Sequence, residues 1–329
     1  MSKPSFGLRT RGHALPPGAD PFGALGPGPI DESFGRAALA AVRALAIVVW
    51  SGLCIPLQAL FLALPGRAKA VFPRIYWRGM CFCVGLSLRD VRLATPATTD
   101  RPVVYIANHS SWLDILVLGA LLPGCFVAKG EVGTWPVIGL IARLGRSVFV
   151  ERRRTSTGRE RDLMRERLAA GDNLILFPEG TSSDGTRVLA FRPTFFAVAV
   201  PFAPDPGDAD RGDPDRGDPD RGAPVAPVIC PIAVAYDRVG FLPAGRTSRP
   251  LFAWYGDMDL LPHAWRLLRQ RGVRASVLHA APIDPADFAD RKALAAAAWH
   301  VVAHGAATLR QNREPETIPA GPAADAAYA

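Results

Sequence analysis

Between residues 103 and 177 short apolar runs alternate with longer helix-like stretches, and no other feature narrows the fold as far. The runs 103–107 (Val-Val-Tyr-Ile-Ala), 125–129 (Cys-Phe-Val-Ala-Lys), 147–150 (Ser-Val-Phe-Val) and 174–177 (Leu-Ile-Leu-Phe) have the length and composition of strands. Residues 115–122, 137–142 and 159–170 lie between them and read as helices, the last stopped by Gly171. Strands and helices at this spacing build βαβ units. The expected fold is therefore α/β, a central, mostly parallel sheet flanked by helices. Further on, 225–235 read as a strand interrupted by Pro231, 277–280 as a last strand and 287–309 as a terminal helix.

In such sheets reacting groups gather where strands end. His109, Lys129, Arg152 and Glu179 each follow an expected strand, so one edge of the sheet can hold all four. His109 stands in Asn108-His109-Ser110-Ser111-Trp112-Leu113-Asp114, between a strand and a helix. Asp114, in the first helical turn, is within reach of one imidazole nitrogen. A carboxylate there fixes the tautomer and raises the basicity, leaving the other nitrogen to take a proton from an alcohol. The plainer alternative makes Ser111 an N-cap and Asp114 part of a capping box, with His109 incidental. Pro178-Glu179-Gly180-Thr181 forms a rigid turn that presents Glu179 and Thr181, or else an ordinary turn with a solvated Glu. Arg152 to Arg154 have a similar alternative as a solvated basic patch. His279, His300 and His304 lack a spaced acidic partner and are read as structural or surface residues.

Residues 44–64 carry no formal charge, which is enough length to cross a hydrocarbon core of ~30 Å as a helix. Gly52, Pro56 and Gln58 interrupt the run, so a kinked, re-entrant or interfacial helix and a buried core helix are the alternatives. Arg36 and Arg43 flank one end and Arg67, Lys69, Arg74 and Arg78 the other; the heavier basic side belongs in the cytoplasm. A shorter apolar stretch, 80–88, is expected in the interface beside it.

A net charge of +8 calls for an acidic partner surface. Nucleic acid is not expected, because aromatic-rich RNA-binding signatures, finger spacings and long Lys/Arg tracts are missing. The five cysteines, Cys54, Cys81, Cys83, Cys125 and Cys230, sit in apolar stretches and read as small hydrophobes in a reducing compartment. No metal and no cofactor are expected. Residues 1–35 are rich in Gly and Pro and read as a disordered leader. Residues 204–222 repeat Asp-Arg-Gly-Asp-Pro, with seven Asp against three Arg, and read as a low-complexity loop insertion. The resulting organisation is a leader (1–35), a membrane-associated helical segment (36–90), a catalytic domain (91–310) and a disordered tail (311–329).

Taken together, these pieces resemble the glycerolipid acyltransferase family. Residues 108–114 look like its His-x4-Asp block, 145–152 like its second block, 177–181 like its Phe-Pro-Glu-Gly-Thr block and 228–234 like its fourth, a hydrophobic strand with a central Pro. The resemblance implies an O-acyltransferase in which His109 and Asp114 are catalytic and Lys129, Arg152, Glu179, Gly180 and Thr181 bind substrate. It implies a lysolipid acceptor, an acyl-CoA or acyl carrier protein donor, and work at the inner (cytoplasmic) membrane with the catalytic domain facing the cytoplasm. The first expected acceptor is 1-acyl-glycerol-3-phosphate, giving phosphatidic acid. One departure bears on it: the family's third block continues with an Arg associated with the acceptor phosphate, where this chain has Ser182, with Arg187 the next Arg. The run Thr181-Ser182-Ser183-Asp184-Gly185 looks like bacterial members that acylate lyso-ornithine lipid, whose headgroup carries an amine and a carboxylate. That is the alternative acceptor, with Asp184 as a partner for the amine. A serine hydrolase is disfavoured because no Gly-x-Ser-x-Gly joins a strand to a helix. The non-enzyme alternative is an inert membrane-binding module of the same fold.

Overall fold

The computed structural model describes residues 34–93, 101–150, 157–199 and 226–316. The leader up to residue 33, the Asp-Arg-Gly repeat, Arg152 and the tail from 317 lie outside them.

The sheet contains β1 (Leu86–Arg92), β2 (Val103–Ala107), β3 (Cys125–Lys129), β4 (Val148–Val150), β5 (Leu174–Leu176), β6 (Val228–Val239), β7 (Leu242–Pro243) and β8 (Val273–His279). Its order is β1-β8-β6-β2-β5-β3-β4, with the two-residue β7 on β6. From β6 to β4 all neighbours run parallel, while β8 is antiparallel to β6 and β1 is parallel to β8. Every residue of β5 is buried, as a strand covered on both faces requires.

Among the described residues seven α-helices surround it: α1 (Phe34–Ala63), α2 (Ala68–Val84), α3 (Leu113–Leu121), α4 (Pro136–Leu144), α5 (Thr157–Ala169), α6 (Leu260–Leu268) and α7 (Arg291–Arg310). One core packs α2 and α3 on the sheet face that carries Ala107, Val234 and Tyr236. The other packs α5 and α7 on the face that carries Ile106, Ile229 and Ala233. Asp290 starts α7 by accepting from the backbone N–H groups of Lys292 and Ala293.

Two expectations need correction. Pro231 does not interrupt β6: it stays in register opposite Ile106 of β2. On the other side β8 pairs only from Ile232 onward, and Pro231 there has only its carbonyl to offer, which accepts from Ala280 N–H. A missing N–H is tolerated where no partner strand asks for it. The stretch 80–88 is not one interfacial segment either. It spans the end of α2, the left-handed Gly85 and the start of β1, with Met80, Cys81, Val84 and Leu86 buried. The sheet therefore starts at Leu86, inside the segment that was expected to lie at the membrane.

Helix α1 has its polar side chains facing inward. Arg43 donates to the carbonyls of Leu268 and Gln270, Trp50 Nε1 to Tyr76 O, and Gln58 Nε2 to Lys69 O and Leu144 O. Its outward face carries Val42, Leu45, Val48, Val49, Leu53 and Leu60, all more than half exposed. Pro56 lies within the helix without ending it. Against α2 the approach is so close that a Cβ on Gly79 would sit 2.1 Å from the Trp50 ring.

Candidate active site

The site begins where β2 runs out. Main-chain pairing with β6 ends at Ala107 opposite Ile232, and the Asn108 side chain carries the connection on. Its Nδ2 donates to Val234 O at 3.0 Å and its Oδ1 accepts from Val234 N at 2.8 Å, so the amide mimics one more strand residue. His109 follows at the exit, and α3 begins four residues later.

Asp114 is wholly buried and fully engaged. Its Oδ2 lies 2.9 Å from His109 Nδ1 and accepts from the N–H groups of Ser110 at 2.7 Å and Ser111 at 2.9 Å. Its Oδ1 accepts from the Tyr236 hydroxyl at 2.6 Å. Ser111 Oγ accepts from Leu113 N, so the polar residues at the start of α3 do cap the turn. Capping and orienting the imidazole, posed as alternatives, are done by one carboxylate. Burial and the Asp114 charge push the Tyr236 phenol far up, which keeps it a donor.

With both carboxylate oxygens occupied by donors, the proton of the His109 ring belongs on Nδ1. Nε2 is then the basic nitrogen, and among the described residues it has no hydrogen-bond partner. The ring lies on Phe177, with centroids 4.2 Å apart and planes at 22°. Phe177 in turn stacks with Phe126, and Phe126 meets Trp77 of α2 edge-on. An aromatic path thus runs from the imidazole toward the N-terminal helices. Beside it, an apolar pocket of ≈ 310 Å³, partly open, is lined by Trp77, Phe72, Ile55, Ile141 and Leu144.

The main chain of His109 is gripped on both sides. Glu179, 2 % exposed, accepts from His109 N at 2.6 Å through Oε1 and from Leu189 N at 2.8 Å through Oε2. Ser183 donates to His109 O from its N–H at 2.9 Å and from its hydroxyl at 3.2 Å. Burial pushes the Glu179 carboxyl up to about 7, against the two N–H groups that favour its ionised form. Glu179, expected to touch substrate, is thus placed beneath the loop with both oxygens already bound; it positions the imidazole through the backbone.

The other expected substrate residues spread around this centre. Gly180 is buried at φ +70°, and a Cβ there would come within 3.2 Å of Arg192 Nε. Thr181 is exposed on the same turn. Lys129 ends β3, two strands from β2 and so roughly 10 Å across the sheet, on the shared edge. Arg152 lies outside the described residues. Sequence reasoning missed Asn108, Tyr236, Ser183 and Arg192. Asn108 had a local signal, an amide directly at a strand end, and Tyr236 a weaker one, a phenol closing an apolar strand.

A bare imidazole nitrogen backed by a buried carboxylate suits proton transfer from a hydroxyl. Residues 89–232 match the family described as Acyltransferase. The lyso-ornithine lipid O-acyltransferase of Brucella abortus (strain 2308) is 38% identical over 251 residues, 76% of this chain and 87% of that one. The one of Rhizobium meliloti (strain 1021) is 35% identical over 77% of this chain and 80% of that one. The 1-acyl-sn-glycerol-3-phosphate acyltransferase of Neisseria gonorrhoeae is 32% identical over 58% of this chain and 64% of that one. Among solved structures, the 1-acyl-sn-glycerophosphate (LPA) acyltransferase PlsC from Thermotoga maritima superposes with a TM-score of 0.51 at 19% identity. It matches over 85% of this chain and 97% of that one, a likeness of fold.

Proposed function

The chain belongs to the acyltransferase family, and from that premise we propose that it O-acylates lyso-ornithine lipid, taking the acyl group from acyl-CoA or acyl carrier protein. His109 Nε2 removes the proton from the acceptor hydroxyl as its oxygen attacks the thioester carbonyl. The new ester C–O bond forms, the C–S bond breaks, and the imidazolium returns the proton to the leaving thiolate. Asp114 stabilises the imidazolium, with its other oxygen held by Tyr236. Acyl transfer in this form needs no acyl-enzyme.

The acceptor assignment rests on the relatives named as lyso-ornithine lipid O-acyltransferases, which match about three-quarters of this chain at 35–38% identity. This reading ranks the two acceptors in the opposite order to the sequence alone. Ser182 in place of the family's Arg agrees with that reversal, because a phosphomonoester in a partly dry site wants a guanidinium fork. One observation favours 1-acyl-glycerol-3-phosphate as the second acceptor: Arg192 lies against Gly180 and brings a guanidinium back to the same turn.

The outward face of α1 supports membrane attachment. Because Arg43, Trp50 and Gln58 tie that helix to the domain along its length, it lies in the interface rather than crossing the bilayer on its own. Trp265 of α6 and Trp135 beside α4 are both partly exposed, and α4 and α6 both contact α1. The inner membrane, with the catalytic edge on the cytoplasmic side, fits the basic flank from Arg67 to Arg78. The apolar pocket beside the aromatic path takes an acyl chain.

A panel of acceptors given one radiolabelled donor tests the assignment on the purified protein. Lyso-ornithine lipid should be acylated faster than lysophosphatidic acid. Equal or faster use of lysophosphatidic acid overturns the ranking.

A further inference from the structure

On the far side of Ser110 and Tyr236 lies a second cleft, ≈ 410 Å³ and partly open, to which His109 does not contribute. Three arginines reach it from three distant segments. Arg187 comes from the loop after the Pro-Glu-Gly-Thr turn, Arg249 from the short helix Arg246–Leu251, and Arg310 from the last turn of α7. Among the described residues none of the three guanidinium groups makes a hydrogen bond or an ion pair. Asp184 acts on Arg310 through its charge, without an ion pair, while its Oδ1 accepts from the N–H and hydroxyl of Thr186 at 2.9 and 2.6 Å. Arg310 is held below its usual range by burial and by the neighbouring Arg249 charge, while Asp184 and Glu179 act the other way. A place in the last turn of a helix accounts for tolerating Arg310, through the partial negative charge of that helix end. It does not account for bringing Arg187 and Arg249 to the same cleft. Like charges gathered around one cleft repel each other, and an anion between them relieves that repulsion.

We propose that this cleft binds an oxyanion, the carboxylate or phosphate of the lysolipid headgroup. The proposal deepens the acceptor reading and rests on it. Ser110, which lines the cleft, supplies a hydroxyl beside the arginines, while Ser183, also in the lining, has its hydroxyl on His109 O; both belong to segments that hold His109. Ser110 adjoins His109 in the chain, so a headgroup anchored there is held on the loop that carries the base. Planar guanidinium forks match a carboxylate and a phosphate alike, so the cleft serves either acceptor class.

Steady-state kinetics of the full-length protein test this, using whichever anionic lysolipid the wild type acylates. Arg249→Gln with Arg310→Gln should raise KM for that lysolipid about tenfold or more, with kcat changed much less. Arg249→Lys with Arg310→Lys, which keeps the charge, should recover part of the loss. Inorganic phosphate should inhibit the wild type competitively with the lysolipid, and the Gln variant should be less sensitive. An unchanged KM in the folded double variant overturns the proposal. Phosphate inhibition competitive with the acyl donor instead assigns the cleft to a different anion and overturns it too. If the double variant fails to fold, Arg187→Gln on the exposed loop takes its place, and an unchanged KM there is equally fatal. A wrong acceptor shows in the substrate preference of the wild type, whereas a wrong cleft shows only in the variants.

Discussion

The loop after β2 and helix α1 both turn their polar side chains inward, for opposite reasons. At the loop, Asp114, Glu179 and Tyr236 are sealed under His109, and their bonds fix one tautomer and one ring position. On α1, Arg43, Trp50 and Gln58 are drawn in against the domain, which leaves the outer face to Val and Leu. The first arrangement builds a reagent and the second a surface for a solvent other than water. Fully burying a Leu or Val side chain is worth roughly 1.5–3 kcal/mol, so several such residues facing out call for lipid. The two regions should therefore fail independently.

The largest effect is expected at the loop. His109→Ala should lower kcat by on the order of 10²–10⁴ while the protein still sediments with vesicles. Asp114→Asn should come close to it, because an amide nitrogen cannot accept from the Ser110 and Ser111 N–H groups and a neutral side chain cannot balance an imidazolium. Kinetics and vesicle sedimentation on the same preparations check both; near-normal turnover by folded His109→Ala sinks the mechanism.

On α1 a smaller and purely interfacial effect is expected. Val49→Lys with Leu53→Lys places two charges on the outer face, where the native residues are 52% and 64% exposed. Vesicle binding should weaken at least tenfold, since even about 1.4 kcal/mol for the two charges together gives that factor and each charge at such a depth costs up to a few kcal/mol. Turnover of detergent-dispersed substrate should stay near the wild type. A matching loss of turnover in detergent would mean that the outer face shapes the catalytic site as well.

The smallest effect concerns Glu179. Its carboxyl is raised by burial from its usual range to about 7, so between the unfolded and folded values the native state holds a proton that the unfolded chain has released. This contribution to stability is complete at pH below ~4.5 and is lost as pH rises through about 7. Thermal melts of the wild type should show that downward component, and Glu179→Gln should flatten it. A wild-type slope unchanged by the substitution would falsify the assignment.

The contrast also explains what the sequence let through. β2, β3 and β5 are legible because central strands are apolar without interruption, and the His109–Asp114 pair is legible because it is local. Tyr236 reaches the same carboxylate from 122 residues away, and a phenol in an apolar strand announces no such partner. β1 was hidden for a different reason: Leu-Ser-Leu-Arg-Asp-Val-Arg alternates like an edge strand, and the apolar end of α2 runs straight into it. Gly85, at φ +85°, was the break to heed. Arg249 and Arg310 gave no signal, since among 38 basic residues a lone arginine says nothing about its neighbours in space. Gln58 read as a blemish in an apolar helix, yet it clamps two carbonyls.

The pairing of β1 with β8 has a consequence for biogenesis. Among the described residues the first strand of the chain, β1, borders only one other strand, and that partner, Val273–His279, is the last strand of the sheet. Helices α1 and α2 emerge ahead of β1 and can meet lipid while most of the domain is still unmade. Binding of these helices to lipid as they emerge would precede closure of the sheet. Such long-range closure is slow, and it leaves an open β-edge waiting through synthesis.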